Sequence, residues 1–173
     1  MRDALLLIAI LGGINVSNAS ELAIKGIRPG MSLEDVKAIH PVIQCGYFSS
    51  AESDTACLVG GMVTFGGARG DMDVLMKGGK VTTVSVEVDS KDYAPVVEAI
   101  KKKYGKPTYA EMKKLQNGFG AVYISHEYTW LRSNAVLWAS QYSGSVEQSS
   151  FRLSTPGDPK KHTEDRKKRA DDL

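Results

Sequence analysis

The sequence predicts an α+β fold of two layers, helices packed on an antiparallel sheet, in which a helix followed by a three-strand meander occurs twice. Three observations predict it. Met72, Val74 and Met76 alternate with Asp71, Asp73 and Leu75, and Val84, Val86 and Val88 alternate with Ser85 and Glu87. That is the period of strands with one buried face. Lys77-Gly78-Gly79-Lys80 separates the two runs, and its glycine pair can take the positive φ angles of a two-residue hairpin turn, so the runs should pair antiparallel. Tyr93, Val96, Val97, Ile100 and Tyr104 then recur along one stripe of a helix, which is expected to lie across the apolar face of the sheet.

Taken from the start, residues 1–20 read as a secretory signal peptide. Ala4 to Gly13 is apolar but too short to span a bilayer, Arg2 precedes it, and Ser17-Asn18-Ala19-Ser20 supplies small residues for cleavage after Ala19 or a residue later. A single domain is expected over 21–155, with sub-modules at about 26–89 and 90–155. Gly26-Ile27-Arg28-Pro29-Gly30 is a turn-rich approach to Ser32, which can cap a short helix through Leu33, Val36 and Ile39, with Glu34 and Asp35 in its first turn and Pro41 ending it. Val42 to Gly61 reads as a loop, and Met62 to Phe65 as a short strand before the glycines at Gly66, Gly67 and Gly70.

Ser90 or Asp92 can cap the second helix, Pro95 falls near its first turn, and Gly105 with Pro107 stops it. Thr108 with Glu111 has capping-box spacing, which predicts a further short helix over Tyr109 to Leu115. Ala121 to Leu131, Ala135 to Tyr142 and Gln148 to Thr155 then read as strands, turned at Ser133-Asn134 and Ser143-Gly144. Residues 156–173 hold six Lys or Arg and five Asp or Glu with almost nothing apolar, the composition of a disordered charged tail.

Charge and cysteine usage bound the function. A formal charge of +2 over 173 residues lacks the basic excess of a nucleic-acid binder. After the leader, no stretch is long and apolar enough for a membrane span. Cys45 and Cys57 are the two cysteines; in an oxidising compartment they should join, closing a loop whose constraint stabilises by about 3 kcal/mol. They have no neighbouring His or carboxylate cluster to complete a zinc site, and no other metal or cofactor is implied.

Catalytic patterns are missing. Gly79-Lys80 is followed by Val81 where a phosphate-binding loop requires Ser or Thr, and the chain has neither G-x-S-x-G nor H-E-x-x-H. His40 adjoins a helix end and His162 is in the tail. His126 shares a strand face with Ile124, Tyr128 and Trp130 while Glu127 points the other way, which leaves it without an orienting acid. Aromatic side chains offer the better candidate for binding, because Trp and Tyr dominate interface hot spots. The candidates are Tyr123, Tyr128, Trp130, Trp138 and Tyr142 on the late strands, Tyr47 and Phe48 beside the cysteines, and Arg69 in the glycine-rich turn. For Trp130 and Trp138 the competing reading is packed core. Tyr123 and Tyr128, on opposite faces of one strand, cannot both be inside.

Gly30-Met31-Ser32 followed by Val36, the strand pair from Val74 to Val86, and Tyr104-Gly105-Lys106-Pro107 together resemble small exported bacterial domains of the SmpA/OmlA (BamE-like) and β-lactamase-inhibitor-protein-like group. The resemblance covers about Gly26 to Thr155. It implies a two-layer α+β sandwich that binds other proteins or assembles envelope complexes without catalysis. The lipid-bearing cysteine of the assembly lipoproteins is absent here, and no inhibitory loop matches residue by residue. The expectation is thus a periplasmic or secreted, non-catalytic protein-binding or envelope adaptor module. Its alternative is an inhibitor of a secreted or periplasmic hydrolase that uses a sheet face or the Tyr47-Phe48 segment.

Overall fold

A computed structural model describes residues 21–47, 50, 53–116 and 118–156. The expected signal peptide, the charged tail from Gly157 onward and Phe48 lie outside the described residues. The hairpin of Met72 to Val88 lies within one large antiparallel sheet. Its strands are β1 (Ile43–Tyr47), β2 (Thr55–Val59), β3 (Val63–Phe65), β4 (Ala68–Lys77), β5 (Lys80–Asp89), β6 (Tyr109–Gln116), β7 (Val122–Leu131), β8 (Val136–Ser140) and β9 (Gln148–Ser154). Their order across the sheet is β1-β2-β4-β5-β9-β8-β7-β6, with β3 pairing the first part of β4.

This corrects the predicted fold class. Among the described residues nine strands stand against two helices, α1 (Leu33–Ile39) and α2 (Tyr93–Tyr104), so the fold is sheet-dominated, and the two three-strand meanders, β3-β4-β5 and β7-β8-β9, are merged into one sheet that β1, β2 and β6 extend. Two segments account for the difference. Val42 to Gly61 is not a loop: β1 and β2 pair there, and Cys45 sits directly across from Cys57 with Cα atoms 4.0 Å apart, joined by a disulfide. Tyr109 to Leu115 is not a helix. It pairs with β7 along its whole length, and Thr108 serves that pairing instead of capping a helix, its N–H donating to Thr129 O and its Oγ1 accepting from Leu131 N–H.

The local signals that did act are physical ones. Gly78 and Gly79 take φ of 57° and 73°, closing the β4–β5 hairpin, and Asp54 Oδ2 accepts the Gly78 N–H at 2.8 Å. That bond holds the Asp54 carboxyl below the usual carboxylate range. Ser32 caps α1 with a reciprocal Asp35 capping box. At the start of α2, neither Ser90 nor Asp92 caps through its side chain. A short 3₁₀ turn over Ser90–Asp92 leads in, and Asp89 receives the Lys91 N–H.

Gly105 ends α2 at φ 82°. Trp130 Nε1 donates to Gly105 O at 2.9 Å and Arg132 donates to Tyr104 O at 2.8 Å, satisfying carbonyls that the helix end leaves over. The core joins Val36 of α1, the stripe of α2 and Leu22, Ile24 and Ile27 to Val74, Val84, Val86, Phe151, Leu153, Leu137 and Trp130 of the sheet. Asn134 clamps the N-terminal segment to β8's turn, accepting from Leu22 N–H and donating to Leu22 O. Among the described residues, no helix is long and apolar enough to cross a membrane.

Candidate functional site

Alternation along nine strands sorts side chains into two faces. Both helices and the Leu22–Ile27 segment pack on one, through the core just described. Neither helix lies on the other, which is built from three parallel rows that cross the sheet. The row through Val136 is mostly apolar, linking Ala56, Leu75, Val136 and Leu131 with Thr83 and Ser154 among them. Next to it, the row through Trp138 holds Leu58, Asp73, Ser85, Arg152, Trp138, Thr129 and Tyr109. The third, through Ser140, is acidic: Asp71, Glu87, Ser150, Ser140, Glu127 and Glu111.

The electrostatics follow from these rows. Asp73 is half-buried beside its neighbours, and burial pushes its carboxyl above the ordinary range. The Glu87 charge adds to that push, and Arg152 opposes it. Lys113 pairs with Glu127 at one end of the acidic row. Ser125, directly across from Lys113 on the same face, is buried, and its Oγ has no hydrogen-bond partner among the described residues. Tyr123 and Tyr142 meet edge to face here, with ring centroids 6.1 Å apart.

The sequence candidates divide accordingly. Arg69, Tyr123, Trp138 and Tyr142 stand on the helix-free face. Trp130 is fully buried on the helix side, and Tyr128 is there too, stacked on Tyr93 at 6.4 Å with Lys101 Nζ 4.8 Å from its ring centre. The Tyr93 hydroxyl donates to His126 O and Ala139 O, and burial pushes its pKa well above the ordinary value. Tyr47, 86% exposed, ends β1 at the far edge of the sheet. His126 lies on the helix side across from Met112 and is exposed, while Glu127 faces away from it toward Lys113. Among the described residues, no group of three His, Cys, Asp or Glu could hold a metal ion.

No family model, curated protein or solved structure matches the chain.

Sequence reasoning missed Leu58, Asp73, Glu87, Tyr109, Glu111 and Arg152 as parts of a surface. For Asp73 and Glu87 a signal was present, because they are the polar positions of the alternation that located their strands. Which of these residues meet is set by the pairing of β5 with β9 and β9 with β8, and that register is not written in any one strand.

Proposed function

We propose that the protein is an exported, non-catalytic protein-binding or envelope adaptor module, and that the helix-free face of its sheet receives the partner. The observation that carries this reading is the row that sets Trp138, Tyr109 and Leu58 among Asp73, Arg152 and the neighbouring acidic row. A large aromatic flanked by charges of both signs is the composition of an interface centre with its polar surround. Leu58, 66% exposed, offers apolar surface at the end of that row. The disulfide supports an oxidising compartment, and hence export to the periplasm or medium. The similarity of Gly30-Met31-Ser32 and Tyr104-Gly105-Lys106-Pro107 to exported binding domains points the same way.

The test is comparative capture from an envelope extract. Trp138→Ala and Glu87→Lys should each lower affinity for the captured protein about tenfold or more, the scale of an interface hot spot. Lys102→Ala, on the exposed side of α2, should leave it unchanged. Capture that ignores the two face variants, or no protein retained above background at several salt concentrations, would refute the reading.

A further inference from the structure

Among the described residues the sheet is bounded by β1 and β6, with the three-residue β3 as a further short edge, and β6 carries a pattern that is complementary to itself. Backbone groups alternate in direction along a strand. Gln141 N–H donates to His126 O and Arg132 N–H to Ala135 O, so the even-numbered residues of β7 bond toward β8 and the odd-numbered ones toward β6. In β6 the odd-numbered residues therefore bond inward. Ala110, Met112 and Lys114 turn their N–H and C=O groups outward, along an edge strand of eight residues without proline. Such an edge is a template for another strand.

Side chains decide which strand fits. In a two-fold antiparallel pairing of β6 with itself, a centre at Glu111 sets Glu111 against its own copy, and a centre at Lys113 or Lys114 does the same with lysine. A centre at Ala110 runs Lys113 onto Pro107. A centre at Met112 avoids all of these. It places Glu111 opposite Lys113 of the partner subunit, twice by symmetry, and Tyr109 opposite the partner's Leu115. It also bonds Ala110 to the partner's Lys114 and Met112 to the partner's Met112. Glu111 and Lys113 then form the close, non-hydrogen-bonded kind of pair, in which side chains approach best.

Within one chain Glu111 stands directly across from Glu127, which forms a salt bridge with Lys113. The pairing brings a second cation to that end of the acidic row. On the helix side Met112, 73% exposed, packs on its own copy, with Ile124 of each chain close by. By contrast β1, the other edge, is Ile43-Gln44-Cys45-Gly46-Tyr47 and has no charge to select a register.

We propose that the protein forms a symmetric dimer in which β6 pairs antiparallel with β6 of a second copy, centred on Met112, so that the two sheets run on as one. The interface is isologous and closes at two copies. On the helix-free face it carries the Trp138 row of one subunit, through Thr129 and Tyr109, onto Leu115 and Tyr123 of the partner subunit.

Sedimentation of the mature protein over a range of concentrations tests this. The expected result is a reversible dimer. Glu111→Lys, which sets lysine against the partner's Lys113, should weaken dimerisation about tenfold or more, as like charges do across an interface. The double exchange Glu111→Lys with Lys113→Glu should restore it. Met112→Pro removes an outward N–H that no bond among the described residues uses, so it should give a folded monomer, checked by circular dichroism. A wild-type monomer at every concentration, or a dimer unaffected by Glu111→Lys and Met112→Pro, overturns the proposal.

Discussion

Asp73 shows how a single residue can be kept at some expense to the fold. Its carboxyl is raised because burial and the Glu87 charge disfavour ionisation, with Arg152 only partly offsetting them. The sign follows directly: a folded pKa above the unfolded value of 3.8 means that the native state binds the proton more tightly, so Asp73 lowers stability once pH rises through that range and has no such effect below it. Asp73→Asn should therefore be more stable than the parent at pH 7 and lose that advantage below about pH 3.8, measured by urea unfolding at both. A carboxylate that costs the fold in this way, on the face that bears Trp138, is in keeping with the binding role proposed for that face. Asn134 is the opposite case, its amide spent entirely on clamping Leu22, and nothing around it in sequence announces that use.

At the scale of elements, legibility tracked whether a segment's own chemistry agreed with its final neighbours. The strands β4, β5, β7, β8 and β9 alternate cleanly and were visible. The helix α2, with its five-residue stripe and Gly105 stop, was too. The strand β6 was not, because Ala110, Glu111, Met112, Lys113, Lys114, Leu115 and Gln116 are all good helix formers, and only pairing with β7 overrides them. The strands β1 and β2 hid behind glycine and small polar residues, although the cysteines that join them were read correctly.

Glycines within the strands separate packing from flexibility. A Cβ at Gly70 would lie 2.1 Å from Glu87 O and 2.8 Å from Val88 Cγ1, so the β4–β5 ladder has to part there. Gly70→Ala should cost about 3 kcal/mol or more, in the range of severe core strain. Gly46→Ala in β1 meets nothing within 4 Å and should be near neutral or slightly stabilising. Thermal unfolding of the two variants side by side checks both, and similar losses would contradict the register given for β4 and β5.

For the molecule as a whole, the disulfide guards an edge. Among the described residues β1 has β2 as its one strand partner, and Cys45–Cys57 ties them at the middle of their pairing. Reduction, or Cys45→Ser with Cys57→Ser, should lower unfolding stability by about 3 kcal/mol, and hydrogen exchange should rise first in β1 and β2. Uniform loss of protection across all nine strands would argue against this local view.

The strand order has a temporal consequence. Residues 148–154 zip onto residues 83–89, some sixty positions earlier, and among the described residues that seam is the one strand pairing between the earlier and later halves of the sheet. A chain emerging from its N-terminus thus leaves the β9-facing edge of β5 open until residues 148–154 have followed, and β8 has one edge waiting for the same strand. Threading through a translocation channel in extended form is compatible with such an order, since the closing stitch comes last and locks both sides at once.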